Sequence, residues 1–241
     1  MRFWTLLAPL VFVLLSANGA VAQSPAPPVL HYCMGCNLSG ATLTGADFSG
    51  VTYVGTNFGG AALERASFRG AHLVAANFQS ANLRGAAFDD VDCTACNFEG
   101  AKLDGATFSG IRMVAANFAD FSAVLSDADL RGLLGGCVAC NFRSATLAGR
   151  DFSGVTMIDV DLSRADLRNS RFNGAVLCWY VVNGSQRSPK CNKLSGARVE
   201  GASFLGVLIC ADPSAAQSCS AVTATALRHD SESTLAGATL P

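Results

Sequence analysis

Six of the ten cysteines fall into three identical spacings: Cys33 and Cys36, Cys93 and Cys96, Cys137 and Cys140. Two thiols so placed can close a disulfide, exchange electrons, hold part of a metal site or anchor a haem. Covalent haem attachment needs a His after the second Cys; Asn37, Asn97 and Asn141 stand there instead. A thioredoxin-type thiol needs a helix amino terminus to lower its pKa, and no helix is expected around these motifs. Cys178 with Cys191 and Cys210 with Cys219 pair by proximity. Among the three histidines, His72 reads as a surface pair in a charged column with Asp92 and Arg112, and His31 and His229 have no evident acid or nucleophile partner. No phosphate loop, Ser/His/Asp set or paired carboxylates stand out. The chain reads as a non-enzyme with no cofactor and no metal.

Composition narrows the classes further. Half of the 241 residues are apolar, 15% are charged, and the formal net charge is -1. Such balance argues against a basic nucleic-acid footprint and against a polyanion mimic. The amino terminus looks like a processing signal, with Arg2 followed by an apolar run over residues 3–15 that is short for a bilayer span. Ala20, Val21 and Ala22 make an A-x-A cleavage site, so residues 1–22 are expected to leave with cleavage near Ala22 and Gln23. Residues 23–30 form a Pro-rich leader. A periplasmic or secreted location follows, with an oxidising environment for the cysteines and no membrane span in the mature chain.

What positions these groups is a repeat. A column read about every twenty residues runs Asn37, Asn57, Asn77, Asn97, Asn117, Asn141, Asp161. Each member is followed by Leu or Phe. Between them the chain divides into five-residue units: small, polar, Leu or Phe, then two polar or Gly residues. Ala41-Thr42-Leu43-Thr44-Gly45 and Ala81-Asn82-Leu83-Arg84-Gly85 are examples. Every fourth centre shares a residue type. One set is Leu38, Phe58, Phe78, Phe98, Phe118, Phe142 and Leu162. The next is Leu43, Leu63, Leu83, Leu103, Leu125, Leu147 and Leu167. The third is Phe48, Phe68, Phe88, Phe108, Leu130, Phe152 and Phe172. The fourth is mixed: Tyr53, Leu73, Cys93, Met113, Cys137, Met157 and Leu177. One unit cannot bury its apolar centre alone, so like must stack on like.

These units resemble the pentapeptide-repeat family over most of the mature chain. The resemblance implies an all-β fold: a right-handed, four-sided parallel β-helix, one unit per side, of about eight coils. The β-helix is expected over residues 31–211, with a loop insertion at 183–191 inside an extruded segment 178–191. Residues 212–241 are expected to give a carboxy-terminal cap and tail: a short helix at 221–227, then a loose end at 231–241. In that geometry all three Cys motifs fall at one corner, as the first and fourth residues of a tight turn. Such residues lie under 7 Å apart, within reach of a disulfide, so each motif is expected to close on itself; buried free thiols are the alternative. Motifs three coils apart, about 14 Å at strand spacing, cannot share a zinc ion.

Two pairs of extra residues, Phe121-Ser122 and Leu133-Leu134, shift the register and are expected to bulge at corners. Exposed Phe121, Leu133 and Leu134 then become possible partner contacts. The Asn column is expected to form an amide ladder, with charges alternating up the neighbouring columns. A filled lumen leaves no internal pocket. The leading functional reading is an exported, non-catalytic scaffold presenting flat faces to a macromolecular partner, an unidentified protein or glycan. An envelope glycan- or surface-binding protein is the alternative. Some pentapeptide-repeat proteins resemble B-form DNA and bind DNA gyrase; the near-neutral charge and the export signal depart from that pattern, and no nucleic-acid partner is expected.

Overall fold

The computed structural model describes residues 32–183, 186–211, 219–221, 235 and 237–240. The expected signal peptide, the leader, and most of the expected 221–227 helix lie outside the described residues.

Each five-residue unit makes one side of a square coil. In the unit around Phe58, Asn57 N–H donates to Cys36 O of the coil before (2.8 Å), and Phe58 N–H donates to Asn77 O of the coil after (2.7 Å). Ala61 N–H then donates to Phe58 O (3.0 Å) and closes the corner. The corner requires a left-handed residue, supplied here by Gly60 at φ 65, where the missing Cβ removes the steric cost. Repetition places Asn37, Asn57, Asn77, Asn97, Asn117, Asn141, Asp161 and Lys193 in one parallel ladder.

The fourth side carries a ladder of extended strands. β1 (Tyr32–Met34), β2 (Thr52–Val54), β3 (His72–Val74), β4 (Asp92–Thr94), β5 (Arg112–Val114) and β6 (Cys137–Val138) form a six-stranded parallel sheet in chain order. Six strands make five turns, and beyond them the stack continues as isolated bridges, so that the first side runs through eight levels from Asn37 to Lys193.

The core is two piles of rings and two of aliphatic side chains. On the first side Phe58, Phe78, Phe98, Phe118 and Phe142 stack with centroids 4.7–4.9 Å apart and planes within 8°. On the third, Phe48, Phe68, Phe88 and Phe108 stack at 4.9–5.4 Å. Strand spacing dictates the interval. Rings of adjacent piles meet edge to face, as Phe68 does with Phe78 at 5.3 Å, a geometry worth about 0.5–1.5 kcal/mol per pair beyond burial. Ala at the inward small position keeps the lumen narrow; Ala61, Ala66, Ala71, Ala81 and Ala86 are fully buried.

The expectation of two corner bulges fails. The turn from Met113 to Cys137 instead contains a helix, α1 (Asp127–Gly135). Ser126 caps it, its side chain accepting from Asp129 N–H (3.1 Å), and Asp127 and Asp129 sit in the first turn, where carboxylates complement the helix dipole. Leu130, Leu133 and Leu134 turn into the core. This helix replaces the third side for one level, so no ring pair joins Phe108 to Phe152. At the foot of the break, Thr146 N–H reaches Phe121 O (2.7 Å).

Segment 178–191 is a hairpin rather than an irregular loop. β7 (Val176–Asn183) and β8 (Gln186–Cys191) pair antiparallel, with Cys178 opposite Cys191. Asn192 plugs the base: its Oδ1 accepts from Val160 N–H (2.9 Å) and its Nδ2 donates to Met157 O (3.2 Å). β9 (Leu208–Cys210) runs parallel to β7, and β10 (Cys219–Ala221) returns antiparallel to β9, so Ala221 lies in a strand, not in a helix. The end expected to be loose is held. Leu235 is buried, and Thr239 bridges Ser203, with Thr239 N–H on Ala202 O and Phe204 N–H on Thr239 O (both 2.8 Å). These bonds satisfy the top edge of the third side.

Candidate functional site: corners, ladders and outer faces

The cysteine corner lies where the fourth side meets the first. Cys33, Cys93 and Cys137 are centres of the fourth side, and Cys36, Cys96 and Cys140 hold the small inward position after the turn. Cys33 and Cys36 have Cα atoms 6.0 Å apart, and Cys93 and Cys96 6.1 Å, both at disulfide distance. Cys178 and Cys191, at 3.9 Å, and Cys210 and Cys219, at 4.0 Å, are also at disulfide distance. Cys137 and Cys140 are buried thiols in this structure. The Cys140 thiol faces Met113 O and Val138 O, each at 3.8 Å. Burial, then the neighbouring Cys140, pushes the Cys137 thiol well above its ordinary pKa, so it rests neutral and unreactive as a nucleophile. Among the described residues no group of three or more His, Cys, Asp or Glu stands where it could share a metal ion.

Phe121, Leu133 and Leu134 are not the exposed residues expected. Phe121 is 6% exposed, and Leu133 and Leu134 are fully buried. Phe121 meets Phe118 and Phe142 edge to face. The insertion could not remain at the surface because a nine-residue helix gives Leu130, Leu133 and Leu134 one common inward face.

The Asn column consumes its own hydrogen bonds. Asn57 Nδ2 donates to Asn37 Oδ1, and the same link recurs at Asn77, Asn97, Asn117 and Asn141 (2.9–3.4 Å). Each receiving oxygen also accepts the backbone N–H two residues on, as Gly59 N–H does at Asn57 (2.9 Å). The charged columns are likewise paired within the chain. Arg69 meets Asp89, Arg84 meets Asp104, and His72 and Arg112 share Asp92. Hydrogen bonding by Arg112 holds the Asp92 carboxyl below its ordinary value.

Most of the exposed apolar side chains lie on the fourth side. Met34, Val54, Val74, Thr94, Val114, Val138 and Ile158 stack in one column. Tyr32, Met34, Val74, Val114 and Val138 are five of the seven large hydrophobic residues exposed among the described residues. Beside them Ala75, Ala95, Ala115 and Ala139 hold left-handed corner positions at φ 51–56. Sequence reasoning missed this face. Its signal was available as an apolar residue directly after the centre of nearly every fourth unit, Thr94 excepted.

The register and corners leave one reading of the architecture, and the comparisons agree with it. Models of pentapeptide repeats match residues 35–81, 81–120, 92–132 and 137–177, which is more than half of the chain. The chain belongs to the pentapeptide-repeat family. No curated protein sequence matches this pentapeptide-repeat protein. Among solved structures it is similar to QnrB1, a plasmid-mediated fluoroquinolone resistance protein, at 20% identity over 70% of this chain and 80% of that one, with a TM-score of 0.42. A pentapeptide repeat protein of the Arabidopsis thaliana thylakoid lumen is 36% identical over 45% of this chain and 77% of its own, with a TM-score of 0.27. HetL, involved in heterocyst differentiation regulation in the cyanobacterium Nostoc sp. strain PCC 7120, is 22% identical over 72% of each chain, with a TM-score of 0.28. Among the described residues no helix is long and apolar enough to cross a membrane.

Proposed function

We propose that this pentapeptide-repeat protein is an exported, non-catalytic scaffold that docks another protein on the fourth side of its stack. The observation that carries the reading is the outward column from Met34 to Ile158, on a parallel sheet whose strands pair in unshifted register. Exposed apolar side chains gathered on one face, here Met34, Val74, Val114 and Val138, are the kind of surface that marks interaction sites. The left-handed Ala corners support it. Glycine is the cheaper residue at φ above zero, and a Cβ at the equivalent Gly55 would meet nothing within 4 Å. The methyls at Ala75, Ala95, Ala115 and Ala139 therefore widen the apolar face without packing the chain itself.

Export is read from the amino-terminal run and from the ten cysteines. In an oxidising compartment all five pairs close, including Cys137 with Cys140 at the corner that matches the other two motifs. Mass mapping of exported protein without reduction should find five intrachain disulfides and no alkylated thiol; alkylation of Cys137 would remove the third corner. The docking reading is tested by crosslinking exported protein in its native envelope, then repeating with Val74→Lys and Val114→Lys together. A protein crosslinked by the native chain and lost from the double variant is expected. A partner retained by the variant, or no protein crosslinked at all, would sink the reading.

A further inference from the structure

We propose that the carboxy-terminal end of the first side binds an acidic polysaccharide through Arg143, Arg164 and Lys193. These three side chains line an open surface depression of about 460 Å³ together with Asp161, Ser163 and Gly196. They come from successive levels, since Asn141, Asp161 and Lys193 are register partners. At strand spacing the three cations span about 10 Å along the rod. All three are exposed.

Weak or absent pairing separates them from most cations of the stack. Arg69, Arg84, Arg112 and Arg171 each face a carboxylate one coil away at 2.5–3.2 Å. Arg143 and Arg164 make no ion pair among the described residues, and Lys193 approaches Asp161 only to 3.7 Å. One carboxylate thus faces three cations. The amide ladder that fills this side lower down has also ended: Asn141 is its last donor, and Asp161 and Lys193 continue the column as charges. The wider field agrees. Residues 32–131 carry ten carboxylates against six Lys or Arg, whereas residues 132–211 carry five against nine. An anion is therefore steered toward this half of the rod.

The lining chooses among anions. No aromatic ring is present on which a nucleobase could stack, the feature that single-stranded nucleic-acid grooves rely on. No apolar side chain is present to anchor a peptide. What is offered is two guanidinium forks, suited to bidentate carboxylate or sulfate, an ammonium and the Ser163 hydroxyl. A sugar chain with a repeated acidic group fits that set. This inference stands apart from protein docking, which uses the adjoining, fourth-side surface.

Titration calorimetry of the full exported chain with polygalacturonate at low salt tests it, with dextran as the neutral control and a single-stranded oligonucleotide as the rival anion. Binding of polygalacturonate that weakens with salt is expected, with none to dextran. The Arg143→Ala and Arg164→Ala double variant should keep its melting temperature, because both side chains are exposed and unpaired, and should lose about tenfold or more in affinity. The Arg69→Ala and Arg84→Ala double variant, on the other half of the rod, should stay within about twofold. No binding of polygalacturonate, an equal loss from both double variants, or tighter binding of the oligonucleotide would each overturn the proposal.

Discussion

The two halves of this rod are built from one unit yet are held by different means. From Asn37 to Phe118 every level is twenty residues long and every side is repeated, so rings, amides and ion pairs stack without interruption. From Phe121 onward a helix, a hairpin and a returning carboxy-terminal segment break into the coil. Where they do, some other device takes over the backbone: Ser126 at a helix start, Asn192 under a hairpin, cysteine pairs at disulfide distance across β7–β8 and β9–β10. Stacking alone supports a coil only while the register is kept. Each departure from it is closed by a specific side chain.

Reduction should break the comparison most visibly. Opening Cys178–Cys191 and Cys210–Cys219 removes loop closures worth about 3 kcal/mol each in the chain-entropy model. Hydrogen exchange after reduction should accelerate in 176–211 and leave 57–118 protected. Next, Phe98→Ala opens a void inside the continuous ring pile and is expected to cost about 4 kcal/mol, read by chemical denaturation. Leu134→Ala should cost about 3 kcal/mol by the same mechanism; a cost near zero would restore Leu134 to the surface. A smaller effect of opposite sign comes from Thr56→Ala. Thr56 Oγ1 is fully buried with no hydrogen-bond partner, so its removal should stabilise the amino-terminal half by about 1 kcal/mol.

The smallest effect is on pH. The carboxyls of Asp92 and Asp166 are held below their ordinary 3.8 chiefly by hydrogen bonds from Arg112 and Arg168. A depressed folded pKa stabilises the fold above the unfolded value, and that contribution is lost as pH falls through the folded value. The melting temperature should therefore hold down to about pH 4 and decline below it. Because these pairs are largely exposed, the decline is shallow, and salt should weaken it. Arg112→Gln should flatten it further, since Asp92 then loses its main hydrogen-bond donor.

Legibility followed the period. Phe58, Phe78 and Phe98 could be assigned to one inner pile because a spacing of twenty places them one above another, whatever else the chain does. The Asn ladder was legible for the same reason. Phe121, Leu133 and Leu134 were misread because an insertion has no period; nothing in two extra residues at each end says that the stretch between will coil into a helix. The fourth-side face was overlooked because Val after a centre looks unremarkable in any single unit and becomes a surface only when levels are superposed. Arg143, Arg164 and Lys193 could not be grouped, since their separations of 21 and 29 residues match no column until the hairpin is folded out.

The sequence by itself, through its repeat and the family it resembles, pointed to the coil: five residues per side, four sides per turn, and Leu, Phe and Ala pointing inward, because that arrangement buries each centre against its copy. Tertiary structure alone decided where the coil could be interrupted and how its ends were closed. Those outcomes depend on which neighbouring backbone groups are left needing partners, and that is settled only once the levels lie on top of one another.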